Sequence, residues 1–436
     1  MSTKITTGQD TYANIGLKIH LLLETGRLLM ESRATTNRIT RDLQRAAAYM
    51  GIPEEKLHLY MMSTTIIVNV SDADRTYTSM CKCRNQGVNM TVISAVSKLS
   101  WKARAQNFTL ADYQAELERI KKLPPHYNTV LATLGAALAC GGFCVLFGGD
   151  LYGFFFTAVA AACGFTVRRL CTRWEFNSYA AIAIAAFVAT FIAWLTSLVS
   201  PSPLSLHPVI ACSLFIVPGI PLINAVDDWL NNFIMGGTIR AMNALLIIGS
   251  MTFGIIIAIH LGGVQDFSSL SVTPAGLYLL PTVAAAVAAA GFAIIFNVPP
   301  RLLLPTAIGG SICVFIRNYC ELAWNLHPYL GSFLGAAVIA LLVLRLPDYF
   351  RAPTHVIATP AVIPLIPGVL LYRLLFAIIN IKSLSTAAFI SAVQNGVEAI
   401  LIIFGIAVGV AIPNIFAHRY LDKRKKLHWE ELNEQE

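Results

Sequence analysis

The stretch GFCVLFGGDLYGFFFTAVAAACGFTVRR (142–169) has a partner further along the chain, GFAIIFNVPPRLLLPTAIGGSICVFIRN (291–318). The two align without a gap, pairing Phe143 with Phe292, Phe147 with Phe296, Thr157 with Thr306 and Arg168 with Arg317. The shift is 149 residues, and it also carries FIVPGIPL, containing Pro218 and Gly219, onto PLIPGVLL, containing Pro367 and Gly368. Likeness between apolar helices would explain either match alone; two at one offset point to an internal repeat.

The surroundings of the repeat say what it is built from. Of 436 residues, 56% are apolar and 13% charged, against about 25% charged in a soluble globular chain. Most of the charge lies in residues 1–125, whereas 129–416 reads as successive apolar runs. A membrane span takes about 20 apolar residues. Ten segments qualify, near 129–148, 151–167, 178–199, 207–225, 239–261, 274–297, 302–320, 328–345, 354–374 and 385–414. Five spans per copy is an odd number, so the second copy enters the bilayer from the opposite side. The expected fold is therefore an all-α polytopic membrane protein, about ten transmembrane helices in a 5+5 inverted repeat, preceded by an N-terminal cytosolic α+β domain. Its boundaries are 1–125 for the cytosolic domain, 126–265 and 266–416 for the membrane repeats, and 417–436 for a basic cytosolic tail.

Charge sets the orientation. With the amino terminus inside, the cytoplasmic connections hold Arg168, Arg169, Arg173, Arg240, Arg301, Arg345 and Arg351, and the tail adds Arg419, Lys423, Arg424, Lys425 and Lys426. The outer connections hold Arg317, Arg373 and Lys382. This bias follows the positive-inside rule and places both termini in the cytoplasm. Inversion explains one exception, because Arg168 lies inside and its partner Arg317 outside. The net charge of +8 does not indicate nucleic acid, since these cations flank apolar runs where lipid phosphates are their neighbours. The polar start, Met1–Ala13, carries no cleavable signal pattern. The nine cysteines are scattered without a C-x-x-C pair, which fits a reduced compartment and no metal site.

In the soluble region, Asn14–Met50 shows apolar side chains at helical spacing with a break near Ser32–Thr36 and a stop at Gly51–Pro53, predicting two helices. Leu57–Val70, Thr76–Cys83 and Asn89–Val96 read as strands, and Leu110–Lys122 as a helix leading to the first span. Arg27, Arg33, Arg38, Arg41 and Arg45 form a basic helix surface, better read as a solvated or lipid-facing side than as an anion site. His58, Ser63 and Cys81 lack a nucleophile-elbow or triad signature, so no enzyme site is expected.

The chemistry is expected in the membrane. Pro218-Gly219 and Pro367-Gly368 should each break a helix at corresponding depth, and interrupted helices are tolerated where protein or a water-filled cavity satisfies their backbone. Paired breaks mark transporter binding sites. After the first break comes NAVDDWLNNFIMGGTIRAMNA, in which Asn224, Asp227, Asp228 and Asn231 share one helical face and Arg240 follows. Two neighbouring acids raise one another's pKa, which suits Asp227 and Asp228 to proton uptake; Arg240 would bind a substrate carboxylate or hold one Asp ionised. The competing reading is a solvated headgroup loop. In the second copy, FISAVQNGVEAILII supplies Gln394, Asn395 and Glu398, the last an acid between apolar turns that faces either a pathway or the outer interface. Asp150 and His260 read as interfacial turn residues.

Four segments carry a resemblance to a known family: LLLETGRLLMESRATTNRITRDLQRAAAYMGI (21–52), STTIIVNVSD (63–72), VPGIPLINAVDDWLNNFIMGGTIRAMNAL (217–245) and PLIPGVLLYR (364–373). They resemble the threonine/serine exporter family over nearly the whole chain, in a form that fuses two halves found elsewhere as separate partners and proposed to export succinate. The resemblance implies export of threonine and serine driven by the proton motive force at the plasma (inner) membrane, with succinate export as the alternative. It implies a small-molecule substrate, protons and membrane lipid as partners, no cofactor, no enzyme activity, and compatibility with a homo-oligomer. A membrane sensor whose soluble domain carries the activity is the reading from another class.

Overall fold

Two helices form where the apolar spacing predicts them, α1 (Gly8–Glu31) and α2 (Thr36–Tyr49). Thr35 caps α2 by accepting the Arg38 N–H at 3.3 Å, and Gly51 takes a positive φ of 76° just past its end, the usual glycine stop. The structure is a computed structural model that describes residues 8–62, 64–71, 75–83, 87–105, 108–199, 207–263, 278–344, 353–381 and 384–433, with side chains for all of these but 8–13, 104–105 and 412–433. Ser63, Arg345, Arg351, Lys382 and the side chains of the basic tail lie outside the described residues. The chain divides into two compact units: the described residues up to His126 together with Asp228–Arg240, and Tyr127–Asp227 together with the described residues from Ala241 onward.

In the first unit, β1 (Leu57–Met61), β2 (Thr65–Ser71) and β3 (Thr76–Lys82) form an antiparallel meander in the order β1-β2-β3. β2 alternates, burying Ile66, Val68 and Val70, as a strand with one covered face must. A Cβ on Gly26 would come 3.0 Å from Ile66 Cδ1, so the glycine lets α1 lie close on that face. Asn89–Val96 is not a strand: it opens α3 (Met90–Ala105), in which Met90, Ile93, Val96, Leu99 and Ala103 are buried. Its β-branched composition favours a strand locally, but three-to-four-residue spacing gives a helix one continuous buried stripe, and packing outweighs propensity. α4 (Leu110–Lys121) carries a capping box between Thr109 and Asp112. Its Tyr113, fully buried, shares a 3.0 Å hydrogen bond with Thr25, and burial pushes its hydroxyl up to about 12.

The second unit is helical: α5 (Thr129–Leu146), α6 (Leu151–Arg173), α7 (Ser178–Val199), α8 (His207–Ala211), α9 (Gly219–Leu230, whose last residues belong to the first unit) and α10 (Ile234–Gly262, which rejoins the second at Ala241). There follow α11 (Leu279–Ile295), α12 (Leu303–Ala323), α13 (Pro328–Leu344), α14 (Thr354–Val362), α15 (Gly368–Ile379) and α16 (Thr386–Asn433). Among the described residues, six helices are long and apolar enough to cross a membrane, or eight if each of two bent pairs is one span. The bent pairs are His207–Ile216 with Gly219–Leu230, turned by 57°, and Thr354–Leu365 with Gly368–Ile379, turned by 53°. α11 and α13, of 17 residues each, are apolar but shorter. The chain is a multi-pass membrane protein.

Backbone detail recurs at the spacing found in the sequence. Gly148, past the end of α5, and Asn297, past the end of α11, both have positive φ, 96° and 52°. The Gly149 N–H donates to Cys144 O, and the Val298 N–H to Ala293 O, each at 2.9 Å. α5 and α11 pack on one another through small residues: a Cβ on Gly142 would meet Ala284 O at 2.8 Å, and one on Gly291 would meet Gly135 O at 2.5 Å. The contact is reciprocal, because Gly291 is the 149-residue partner of Gly142 and Ala284 that of Gly135. Phe143 meets its own partner Phe292 edge-on, ring centroids 5.9 Å apart. Such small-residue seams are how helices in lipid gain close van der Waals contact.

Gly291→Val is therefore expected to drive α5 and α11 apart at a cost of roughly 1–3 kcal/mol and to lower the melting temperature of the detergent-solubilised protein. Gly249→Ala, where a Cβ meets nothing within 4 Å, should leave it unchanged or raised; equal losses in both variants would contradict the seam.

Candidate functional site

Each bent pair is bent for a covalent reason. Pro218 and Pro367 have no N–H to continue a helix, and the glycine after each starts a new one. The two turns are closed alike: the Gly219 N–H donates to Val217 O at 2.8 Å and the Gly368 N–H to Ile366 O at 2.9 Å. Pro218 O then accepts from Leu222, and Pro367 O from Leu371. The breaks also lie against each other. A Cβ on Gly219 would run into Ile363 and Ile366, and one on Gly368 into Leu214 and Val217. Leu214 and Val217 are the 149-residue partners of Ile363 and Ile366, so this contact too is reciprocal. Tyr372, one turn into α15 and 1% exposed, donates to Ile210 O in α8 at 2.8 Å. The second broken helix thus satisfies a carbonyl freed by the first.

Polar groups are buried in these segments: Ser213 before the first break, Asn224 on α9 and Thr359 on α14. Arg373, half-buried on α15, is the 149-residue counterpart of Asn224, so both copies carry a polar side chain about one turn past the glycine. Arg373, expected in an outer connection, stands inside the broken helix.

Asp228 is fully buried and belongs with residues of the first unit. It accepts the Thr36 N–H at 3.1 Å, the Thr36 hydroxyl at 2.9 Å and Arg240 Nε at 2.9 Å. Arg240 Nη2 also donates to Ala34 O at 3.0 Å, and Asn37 Nδ2 donates to Asn231 Oδ1 at 2.9 Å. A carboxylate at the first turn of α2 compensates the unpaired amides and the positive end of the helix. The turn that returns Arg240 to Asp228 passes through Asn232 at a φ of 65°, with the Phe233 N–H donating to Asp228 O at 2.8 Å. Asp227, one residue earlier, is half-buried. The solvated-loop alternative thus fits Trp229 and Leu230, both exposed, but not Asp228.

On the second copy, Asn395 and Glu398 are half-buried on α16, and Glu398 lies within electrostatic reach of Glu321 on α12. Glu321 stands 3.7 Å from Arg317 Nε, and Arg317 also donates to Asn318 Oδ1 at 2.9 and 3.1 Å. Glu321 escaped the sequence reading, although an acid four residues after an intramembrane arginine was the signal. Thr36 and Asn37 carried none. Asp150 is the N-cap of α6, accepting the Gly153 N–H at 2.8 Å, and His260 Nδ1 lies 3.0 Å from Ile256 O within α10. The basic surface of the first unit is largely engaged: Arg27 with Glu24 at 2.6 Å, Arg38 with Ser97 at 3.2 Å, and Arg45 with Asp42 at 3.0 Å and over the Trp101 ring.

Residues 20–262 match the family described as "Putative threonine/serine exporter", and residues 281–416 the family "Threonine/Serine exporter, ThrE". A Klebsiella aerogenes protein described as "Probable succinate transporter subunit YjjP" is 29% identical over 209 residues, 47% of this chain and 80% of its own length. The Escherichia coli K12 protein of the same description is 26% identical over 251 residues, 57% of this chain and 95% of its own length. No solved structure matches the chain.

Removing one partner of a buried ion pair strands the other, at about 3–5 kcal/mol. Asp228→Ala and Arg240→Ala should each lower the urea midpoint of unfolding followed by Trp fluorescence, with Asp228→Ala the larger, and the double variant should be less destabilised than the sum. Additive losses would show that the two side chains do not act as a unit.

Proposed function

As the chain belongs to the threonine/serine exporter family, we propose that it is a secondary active exporter of threonine and serine, driven by the proton motive force as an antiporter in the plasma (inner) membrane. In this reading, residues 126–265 and 266–416 are inverted repeats of five spans each, 1–125 is a cytosolic domain and 417–436 a basic cytosolic tail. The six long helices and two bent pairs make eight spans, and α11 and α13 complete ten; at 1.5 Å per residue, 17 residues reach about 26 Å, near the thickness of the hydrocarbon core. The cations Arg168, Arg169, Arg173 and Arg301 favour cytoplasmic termini.

The observation that carries the proposal is the reciprocal contact of the two Pro-Gly breaks. Transporters built on inverted copies hold a small solute near the midplane between their broken helices, and rocking one copy against the other alternates access. Pro218, Gly219, Pro367 and Gly368 shape this site, with Asn224 and Asn395 as hydrogen-bonding groups on its approaches. Asp228, already accepting three hydrogen bonds, is a fixed anchor with Arg240, and Asn231 supports it through Asn37. We assign the transported proton to Glu398, an acid on a spanning helix within electrostatic reach of Glu321; Asp227 is the next candidate. A second reading, succinate export, is favoured by the description of the two enterobacterial relatives.

Proteoliposomes preloaded with radiolabelled threonine, serine or succinate test this. The wild type should release threonine and serine faster when a proton gradient is imposed. Glu398→Gln should lose that acceleration and release both solutes at the rate seen without a gradient. Gly219→Val should abolish flux with or without a gradient while still inserting. Gradient-driven efflux of succinate alone would favour the second reading, and wild-type coupling in Glu398→Gln would remove the proton assignment.

A further inference from the structure

The basic end of α6 forms a groove that the transport reading does not use. A groove of about 540 Å³ is lined by Thr129, Phe165, Thr166, Arg168, Arg169, Leu170, Thr172 and Arg173. Three arginines therefore line one recess together with Thr129, the first residue of the 18-residue helix α5, whose dipole favours an anion. Between Leu151 and Ser178 one acid, Glu175, stands against Arg168, Arg169 and Arg173, so this end of α6 carries a net positive charge.

The rim identifies the kind of anion. Leu170, in the lining, is 38% exposed; next along the chain Trp174 is 65% and Phe176 49% exposed, and Val130 and Leu134 are exposed on α5. Trp beside a cationic turn at the end of a spanning helix marks the headgroup level of a bilayer, and the exposed apolar side chains continue from the groove along both helices. An occupant that fills both parts has a phosphate and acyl chains. The second copy does not repeat the feature: the counterparts of Arg168, Arg169 and Arg173 are Arg317, Asn318 and Leu322. A site at one end of one repeat faces one leaflet.

We propose that this groove binds the phosphate of an anionic phospholipid, with Arg168, Arg169 and Arg173 contacting its oxygens and the chains lying along α5 and α6. Arginine suits the role because its planar fork bonds phosphate oxygens in pairs. The site is independent of the transported solute.

The test uses the full-length protein in detergent, titrated with phosphatidylglycerol, phosphatidylcholine or inorganic phosphate and read by native mass spectrometry and by melting temperature. The triple variant Arg168→Gln, Arg169→Gln, Arg173→Gln is compared with Lys82→Gln, Lys121→Gln, Lys122→Gln, which removes the same charge from exposed positions in the first unit. Phosphatidylglycerol should bind the wild type and the lysine variant alike and raise their melting temperatures, and its affinity for the arginine variant should fall about tenfold or more. Equal losses in both triple variants, or a loss in neither, would overturn the site. Displacement of phosphatidylglycerol by equimolar inorganic phosphate would overturn the lipid assignment. Should the arginine triple not fold, Arg169→Gln alone, at an exposed position, gives the same comparison.

Discussion

An interrupted helix in an apolar setting leaves amides and carbonyls that cost several kcal/mol each if nothing satisfies them. Pro218-Gly219 and Pro367-Gly368 impose that constraint twice, and the second unit is arranged around meeting it. Tight turns recover the glycine amides, the first residues of α9 and α15 recover the proline carbonyls, and Tyr372 recovers Ile210 O. Glycine lets the breaks lie in contact, because a Cβ at either position would meet the aliphatic side chains of the opposite break. Each break is thus the packing surface of the other.

Reciprocity of this kind is what a two-fold relation between copies produces: if residue i meets the counterpart of j, then j meets the counterpart of i. It appears at the breaks and again along the glycine and alanine seam of α5 and α11. Transport by rocking needs such an arrangement, in which the site stays fixed at the interface while the flanking copies exchange roles. The first unit supplies a different element. Within it, Asp228 joins the first turn of α2 to Arg240 through one carboxylate.

Much of this was legible in the sequence because it depends on local chemistry. The spacing of apolar residues marked α1, α2, α4 and the six long apolar helices, and the prolines marked both bends within a residue. Asn89–Val96 misled because β-branched residues report a local preference, whereas its helix is set by what it buries. Asp228 was picked out as an acid in an amphipathic helix, but its role was not, since Thr36, its partner, lies 192 residues away and nothing in RATTNR announces an anion at its turn. Contacts between distant segments leave no periodic trace, and the Glu321 to Glu398 proximity was hidden for the same reason.

The opposite insertion of the two copies is the claim on which the proposed mechanism rests most directly. It is measured by labelling single cysteines, Trp174→Cys after α6 and Trp324→Cys after α12, in a variant whose nine native cysteines are replaced. Both positions are exposed, at 65% and 59%. With a membrane-impermeant maleimide, Trp174→Cys should react only in inside-out vesicles and Trp324→Cys only in right-side-out vesicles. Reaction of both from the same side would contradict the inverted repeat.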